Sequence, residues 1–140
     1  MRRALVTSFS FLVALFLCWE VAQADQMKFK AVLAAGPGIT SSGKGMATAS
    51  LDTATKMLKW DVDYSGLSGP ATAAHIHGPA DPGANAGVVV PFTGNLASPI
   101  KGSATLTDPQ IQQLEAGKWY VNIHTDANKG GEIRGQLVRS

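Results

Sequence analysis

The chain has 140 residues, 45% of them hydrophobic and 16% charged, with a formal net charge of +2. That length suits one domain, and a near-neutral chain with no basic run has no electrostatic footprint for nucleic acid, which excludes it as the expected partner. A single cysteine excludes a disulfide-stapled scaffold, so a packed core has to supply the stability.

Taken in order, the chain opens as an export signal. Arg2 and Arg3 form a short basic region, Ala4 to Trp19 is nearly all apolar, and Ala22-Gln23-Ala24 reads as a small-x-small cleavage site. The apolar run is too short, and too soon followed by Glu20, to make a membrane span. Cys18 lies inside this stretch, and the bulky Phe16 and Leu17 before it do not suit lipid attachment. Cleavage after Ala24 divides the chain into a signal, residues 1–24, and one domain, residues 25–140. It also removes the cysteine and, with Arg2, Arg3 and Glu20, lowers the net charge by one unit. The expectation is a periplasmic or secreted protein with no stable membrane span after cleavage.

The rest reads as short strands punctuated by glycine, proline and aspartate. Met27 to Leu33 alternates, with Met27, Phe29 and Leu33 on one face, and Gly36-Pro37-Gly38 ends it. Lys44 to Leu51 is a weaker strand. Lys56 to Tyr64 is the clearest, since Leu58, Trp60, Val62 and Tyr64 alternate with Lys59, Asp61 and Asp63, the pattern of a sheet with one buried and one wet face. After the turn cluster Ser65 to Pro70 comes Ala73-Ala74-His75-Ile76-His77, and then a loop by composition from Gly78 to Gly87. Val88 to Phe92 is a short strand that Pro91 confines to a sheet margin.

Ile100 to Leu106 is a further strand, followed by a helix start at Thr107-Asp108-Pro109-Gln110. Thr107 can cap, Gln110 can reach back, and Pro109 sits in the first turn where its missing N–H costs nothing. Ile111 and Leu114 face inward and Gly117 ends the helix. Trp119 to His124 and Glu132 to Val138 close the chain as strands. The sum is an all-β fold, a Greek-key antiparallel β-sandwich of about eight strands with one short helix.

The chemistry concentrates on histidine. The chain holds three. Successive side chains of a strand alternate faces, so His75 and His77 share one face while Ile76 takes the other. On the later strand Val121 and Ile123 take one face, and Tyr120, Asn122 and His124 take the opposite one. In both strands the histidines therefore point away from the aliphatic side. Imidazoles suit copper, zinc and nickel, and a three-histidine set leaves zinc one open position. Asp126, two residues past His124, is a candidate fourth ligand or a hydrogen-bond acceptor for an imidazole.

Three motifs, His75-Ile76-His77-Gly78-Pro79-Ala80, Leu114 to Thr125 and Gly131-Glu132-Ile133-Arg134-Gly135-Gln136, resemble the chordin-type domain called CHRD, over roughly Met27 to Val138. The resemblance implies a β-sandwich. The family occurs in extracellular animal proteins that antagonise growth factors and in many exported microbial proteins. A second, weaker similarity is to copper/zinc superoxide dismutases, which hold copper through a His-x-His strand pair and a later histidine. His75, His77 and His124 match that pattern. The chain departs from it in lacking a metal-bridging histidine, further histidines for zinc and a cysteine pair, which argues against dismutase activity and leaves a mononuclear site.

The resulting expectation is a non-enzymatic exported CHRD protein that holds a copper ion, with zinc as second choice, through His75, His77, His124 and Asp126. Arg134, Glu132 and Asn122 are read as supporting or structural residues. Arg134 is either an anion guide near the metal or, as the simpler reading, a partner of Asp61, Asp63 or Glu132. The alternative function is an extracellular or periplasmic module that binds protein or glycan and uses its histidines as structure. Trp60 and Trp119 alternate with aliphatic residues and are read as core rather than as a sugar platform. No nucleophile–base set is present, so catalysis, of a superoxide-type redox kind, would have to come from the metal.

Overall fold

The computed structural model describes residues 25–140, and the export-signal reading of residues 1–24 lies outside them. The elements are β1 (Gln26–Ala35), β2 (Lys44–Asp52), β3 (Met57–Ser65), β4 (Ala73–His77), β5 (Val88–Pro91), β6 (Ile100–Thr105), α1 (Asp108–Glu115), β7 (Tyr120–His124), β8 (Ile133–Gln136) and β9 (Val138–Arg139). Among the described residues no helix is long and apolar enough to cross a membrane.

Period-two alternation makes these strands. In β1, Phe29, Ala31 and Leu33 are buried while Lys28, Lys30 and Val32 face water. In β3, Leu58, Trp60 and Val62 go inward, Lys59 and Asp63 stay exposed, and Asp61 pairs with Lys101 on the neighbouring β6. These inward faces meet in one core that includes Leu51, Ile76, Leu114, Trp119, Ile123 and Ile133. Each fully buried aliphatic side chain of this kind contributes roughly 2 kcal/mol, which is how the domain manages without a disulfide.

All pairings are antiparallel, and the order is β5-β4-β7-β8-β1-β2-β3-β6. The chain crosses between the two halves of this sheet at the β3–β4, β5–β6 and β6–β7 connections, the last through α1. The halves of the expected sandwich are not separate sheets. They are joined through β1, whose residues Gln26 to Leu33 pair with β2 and whose Ala34 and Ala35 pair with β8. The result is a nearly closed, barrel-like sheet with β5 and β6 as its two ends. Pro91 does lie on an end strand.

The expected strand Glu132 to Val138 is broken in two, which raises the strand count to nine. Leu137 turns into the core, its N–H bonded to the Trp119 carbonyl at 2.9 Å. This turn lets β8 pair with β7 and the end of β1, while β9 pairs with Phe29 and Lys30 further back on the same strand. The helix matches its sequence signals. Thr107 Oγ1 accepts from the Gln110 N–H at 3.4 Å, and Gln110 Oε1 accepts from the Thr107 N–H at 2.8 Å. Leu114 packs inward, and Gly117 follows the cap at φ 69°, a left-handed conformation that glycine adopts without cost.

Candidate metal centre

The histidines come together because β4 and β7 are antiparallel neighbours. Their register sets Ala73 against His124, His75 against Asn122 and His77 against Tyr120. Ala74, Ile76, Val121 and Ile123 enter the core. Alternation then sends His75, His77, Tyr120, Asn122 and His124 to the outer face, where the loops after β4 and β7 fold over them. His77 and His124 are buried and His75 is half-buried, so the cluster meets solvent on the His75 side.

One ligand nitrogen from each of the three rings lies within 4.8 Å of the others. Nδ1 of His75 is hydrogen-bonded to Nε2 of His124 at 3.1 Å, which is also the separation that two metal–nitrogen bonds of about 2 Å subtend at about 100°. Ring centroids are 4.9 to 6.0 Å apart and no pair is parallel, so the rings converge on a common space rather than stack.

The tautomers are set by main-chain carbonyls. His124 Nδ1 donates to the Lys129 carbonyl at 2.8 Å, and His77 Nδ1 donates to the Ala86 carbonyl at 3.0 Å. In each ring the proton is thereby held at Nδ1 and Nε2 is left with its lone pair free to accept, the arrangement by which outer partners orient histidine ligands. Nε2 of His77 is buried and has no hydrogen-bond partner among the described residues. An unpartnered buried acceptor costs about 1–3 kcal/mol, and a cation at the centre of the three rings would satisfy it.

Burial holds the His75 imidazole below its ordinary value, and the His124 and His77 rings push it further down. Burial does the same to His77. The Ala86 carbonyl partly offsets this, and His124 and Arg134 add to the lowering. Both rings are thus kept in the uncharged form that a metal takes.

The supporting residues differ from the sequence reading in part. The sequence reading places Tyr120 on the face of His124 and gives it no part in the site. Its ring stacks on His77 at 5.0 Å and 6°, and its hydroxyl accepts the Ala86 N–H at 3.1 Å. The guanidinium carbon of Arg134 sits 3.6 Å from the Tyr120 centroid. Arg134 does not pair with Asp61, Asp63 or Glu132. It donates to Asn85 Oδ1 at 2.9 Å and to the Ala84 carbonyl at 2.7 Å, tying down the loop that carries Ala86. Asp61 and Asp63 belong to β3, several strands away from β8, and cannot reach it.

Glu132 lies just before β8 and is fully buried among hydroxyls. Ser41 and Thr125 donate to it at 2.6 Å each, Ser68 donates through its hydroxyl at 2.6 Å and its N–H at 2.9 Å, and Asn128 donates at 3.2 Å. Burial alone would raise this carboxyl, but the hydrogen bonds from Ser41, Ser68 and Thr125 outweigh it and bring it down to about 2. Asn122 is also buried, and its Nδ2 donates to the Gly130 carbonyl at 3.2 Å. Glu132 and Asn122 therefore fix the loop that presents the Lys129 carbonyl to His124.

Asp126 does not join the cluster. The Thr125–Asn128 turn, closed by Asn128 N–H to Thr125 carbonyl at 3.1 Å, leaves Asp126 exposed, and it is outside the group of converging ligand atoms. The Lys129 carbonyl takes the orienting role proposed for its carboxylate. Neither that carbonyl nor Ala86's carries a side-chain signature. Tyr120 did have one, since it shares the parity of His124.

The sequence model of the CHRD domain matches residues 29–137. No curated protein and no solved structure matches the chain.

Proposed function

This chain belongs to the CHRD-domain family, a domain of extracellular proteins, and from that premise and the histidine geometry we propose that it is an exported protein that binds one transition-metal ion through His75, His77 and His124. Copper is the first choice, because imidazole donors suit it and copper(II) heads the divalent affinity order. Zinc is the second, with three histidines and one open position. The reading is of a binding protein rather than an enzyme, since no nucleophile or acid–base pair flanks the rings among the described residues.

The observation that carries it is the lone pair of His77 Nε2, buried without a partner among the described residues, while the Ala86 carbonyl holds the proton on the other nitrogen of the ring. A purely structural histidine would be expected to use both nitrogens. Closure onto one ion asks for a small movement, because two nitrogens bound at about 2 Å are at most about 4 Å apart and these already lie within 4.8 Å.

Titration of the purified protein with copper and zinc tests the proposal. The expected result is one ion per chain, lost in a His75→Ala, His77→Ala variant. Equal binding by that variant would overturn it.

A further inference from the structure

The barrel-like sheet does not close between β5 and β6, and the gap is a cleft of about 340 Å³ lined by Val89, Pro91, Gly102, Ser103, Ala104 and Trp60 among others. Its walls are strand edges with no strand partner among the described residues. The Leu106 N–H bonds to the Lys56 carbonyl, and antiparallel pairs alternate. Ile100, Gly102 and Ala104 therefore turn their main-chain groups to β3, while Lys101, Ser103 and Thr105 turn theirs to the cleft. On the other wall the Phe92 N–H bonds to the Ala74 carbonyl, so the same alternation sends the carbonyl of Pro91 towards the gap, while a register shift opposite Ile76 and His77 interrupts the alternation at Val89.

The floor is unfinished too. Trp60 pairs with Gly102, and its indole occupies the space where a Cβ at Gly102 would stand. Phe92 stacks on it at 4.7 Å. The indole is 8% exposed, yet its Nε1 has no acceptor among the described residues, whereas a buried indole N–H usually finds one. Inward-facing Gly102 and Ala104 are only half-buried, between buried Ile100 and Leu106 on the same edge.

We infer that the β5–β6 cleft is a binding site for an extended peptide of a partner protein, added as a strand alongside β6. Main-chain donors and acceptors repeating every second residue along an open edge match an extended backbone. A peptide carbonyl would take the Trp60 N–H, and the peptide's inward side chains would be small, because Trp60 and Phe92 already fill the space beneath. The β6 wall sets the register, since Pro91 offers the opposite wall no N–H. None of the three histidines lines this cleft, although Pro91 on its wall is the cross-strand partner of His75.

The probe is a displayed library of random heptapeptides selected on the purified protein, with selected peptides then synthesised. Selected peptides are expected to slow amide exchange at Lys101, Ser103 and Thr105 and to shift the Trp60 indole N–H resonance. Ser103→Pro, which removes a cleft-facing N–H, and Ala104→Phe, which fills the floor, are each expected to weaken peptide binding about tenfold or more with copper binding unchanged. If Ser103→Pro does not fold, Ala104→Phe carries the test. No selected peptide, protection at other amides only, or wild-type affinity in the folded variants would overturn the inference. So would protection of these amides by self-association without peptide.

Discussion

His77 and Tyr120 lie ring on ring, planes 6° from parallel, and both are tied to one residue of the covering loop. The His77 Nδ1–H donates to the Ala86 carbonyl, and the Tyr120 hydroxyl accepts the Ala86 N–H. The imidazole, its neighbour and the loop are thus tied together, and Arg134 holds the same loop at Ala84 and Asn85.

Tyr120→Leu keeps much of the apolar volume but loses the stack and the hydroxyl. Copper affinity is expected to fall about tenfold, the lower end for residues that orient a ligand, while the fold survives. Calorimetric titration beside a thermal melt separates the two effects.

Among the sequence-derived ligands, the histidines and Asp126 part company. His77→Ala and His124→Ala should each weaken copper binding by at least about a hundredfold, as losing one of three ligands does. Asp126→Ala should bind as wild type does, because Asp126 is exposed and outside the cluster. Nitrogen hyperfine structure in the copper spectrum would count the imidazoles directly.

Glu132 makes stability depend on acid. Its folded-state value of about 2 lies below the ordinary 4.5, so the unfolded chain takes up the proton first as pH falls. The stabilisation is full above about pH 4.5 and is lost as pH drops towards 2. Denaturant unfolding at a series of pH values should show that decline. In Glu132→Gln it should be weaker, with about 2 kcal/mol already missing at neutral pH because the hydroxyl donors lose a charged acceptor.

Gly131 sits at φ 117°, and a Cβ there would overlap the Asn122 side chain. Gly131→Ala should destabilise the protein by about 2–4 kcal/mol. It should also lower copper affinity, because the displaced loop carries the Lys129 carbonyl that orients His124.

Thr107→Ala serves as a control. Losing the capping box of α1 should cost about 1 kcal/mol and leave copper binding untouched, since the Thr107 side chain is exposed and bonds only to Gln110, at the end of the helix remote from β7. Urea unfolding and the same titration check both halves.

Strand positions, the helix cap and the shared face of the histidines were legible because each is local: a period of two, a four-residue signature, a parity. The strand order was not, and neither was the division of β1 between β2 and β8. The Glu132 cage escaped because Ser41 and Ser68 come from 91 and 64 residues away, and nothing in those serines marks them as its donors. For Arg134, charge and cross-strand pairing favour a carboxylate partner over an anion guide, whereas its partners are a loop amide and a carbonyl. Asp126 misled because two-residue proximity to His124 in sequence is undone by a tight turn.

The placement of β1 has a consequence for how the protein is made. Its partners are the hairpin neighbour β2 and, from far along the chain, β8 and β9. Until those later strands leave the ribosome, β1 lacks one flank. Pairings so distant along the chain form slowly. Until β8 and β9 have been made, the two halves of the barrel therefore cannot be joined through β1.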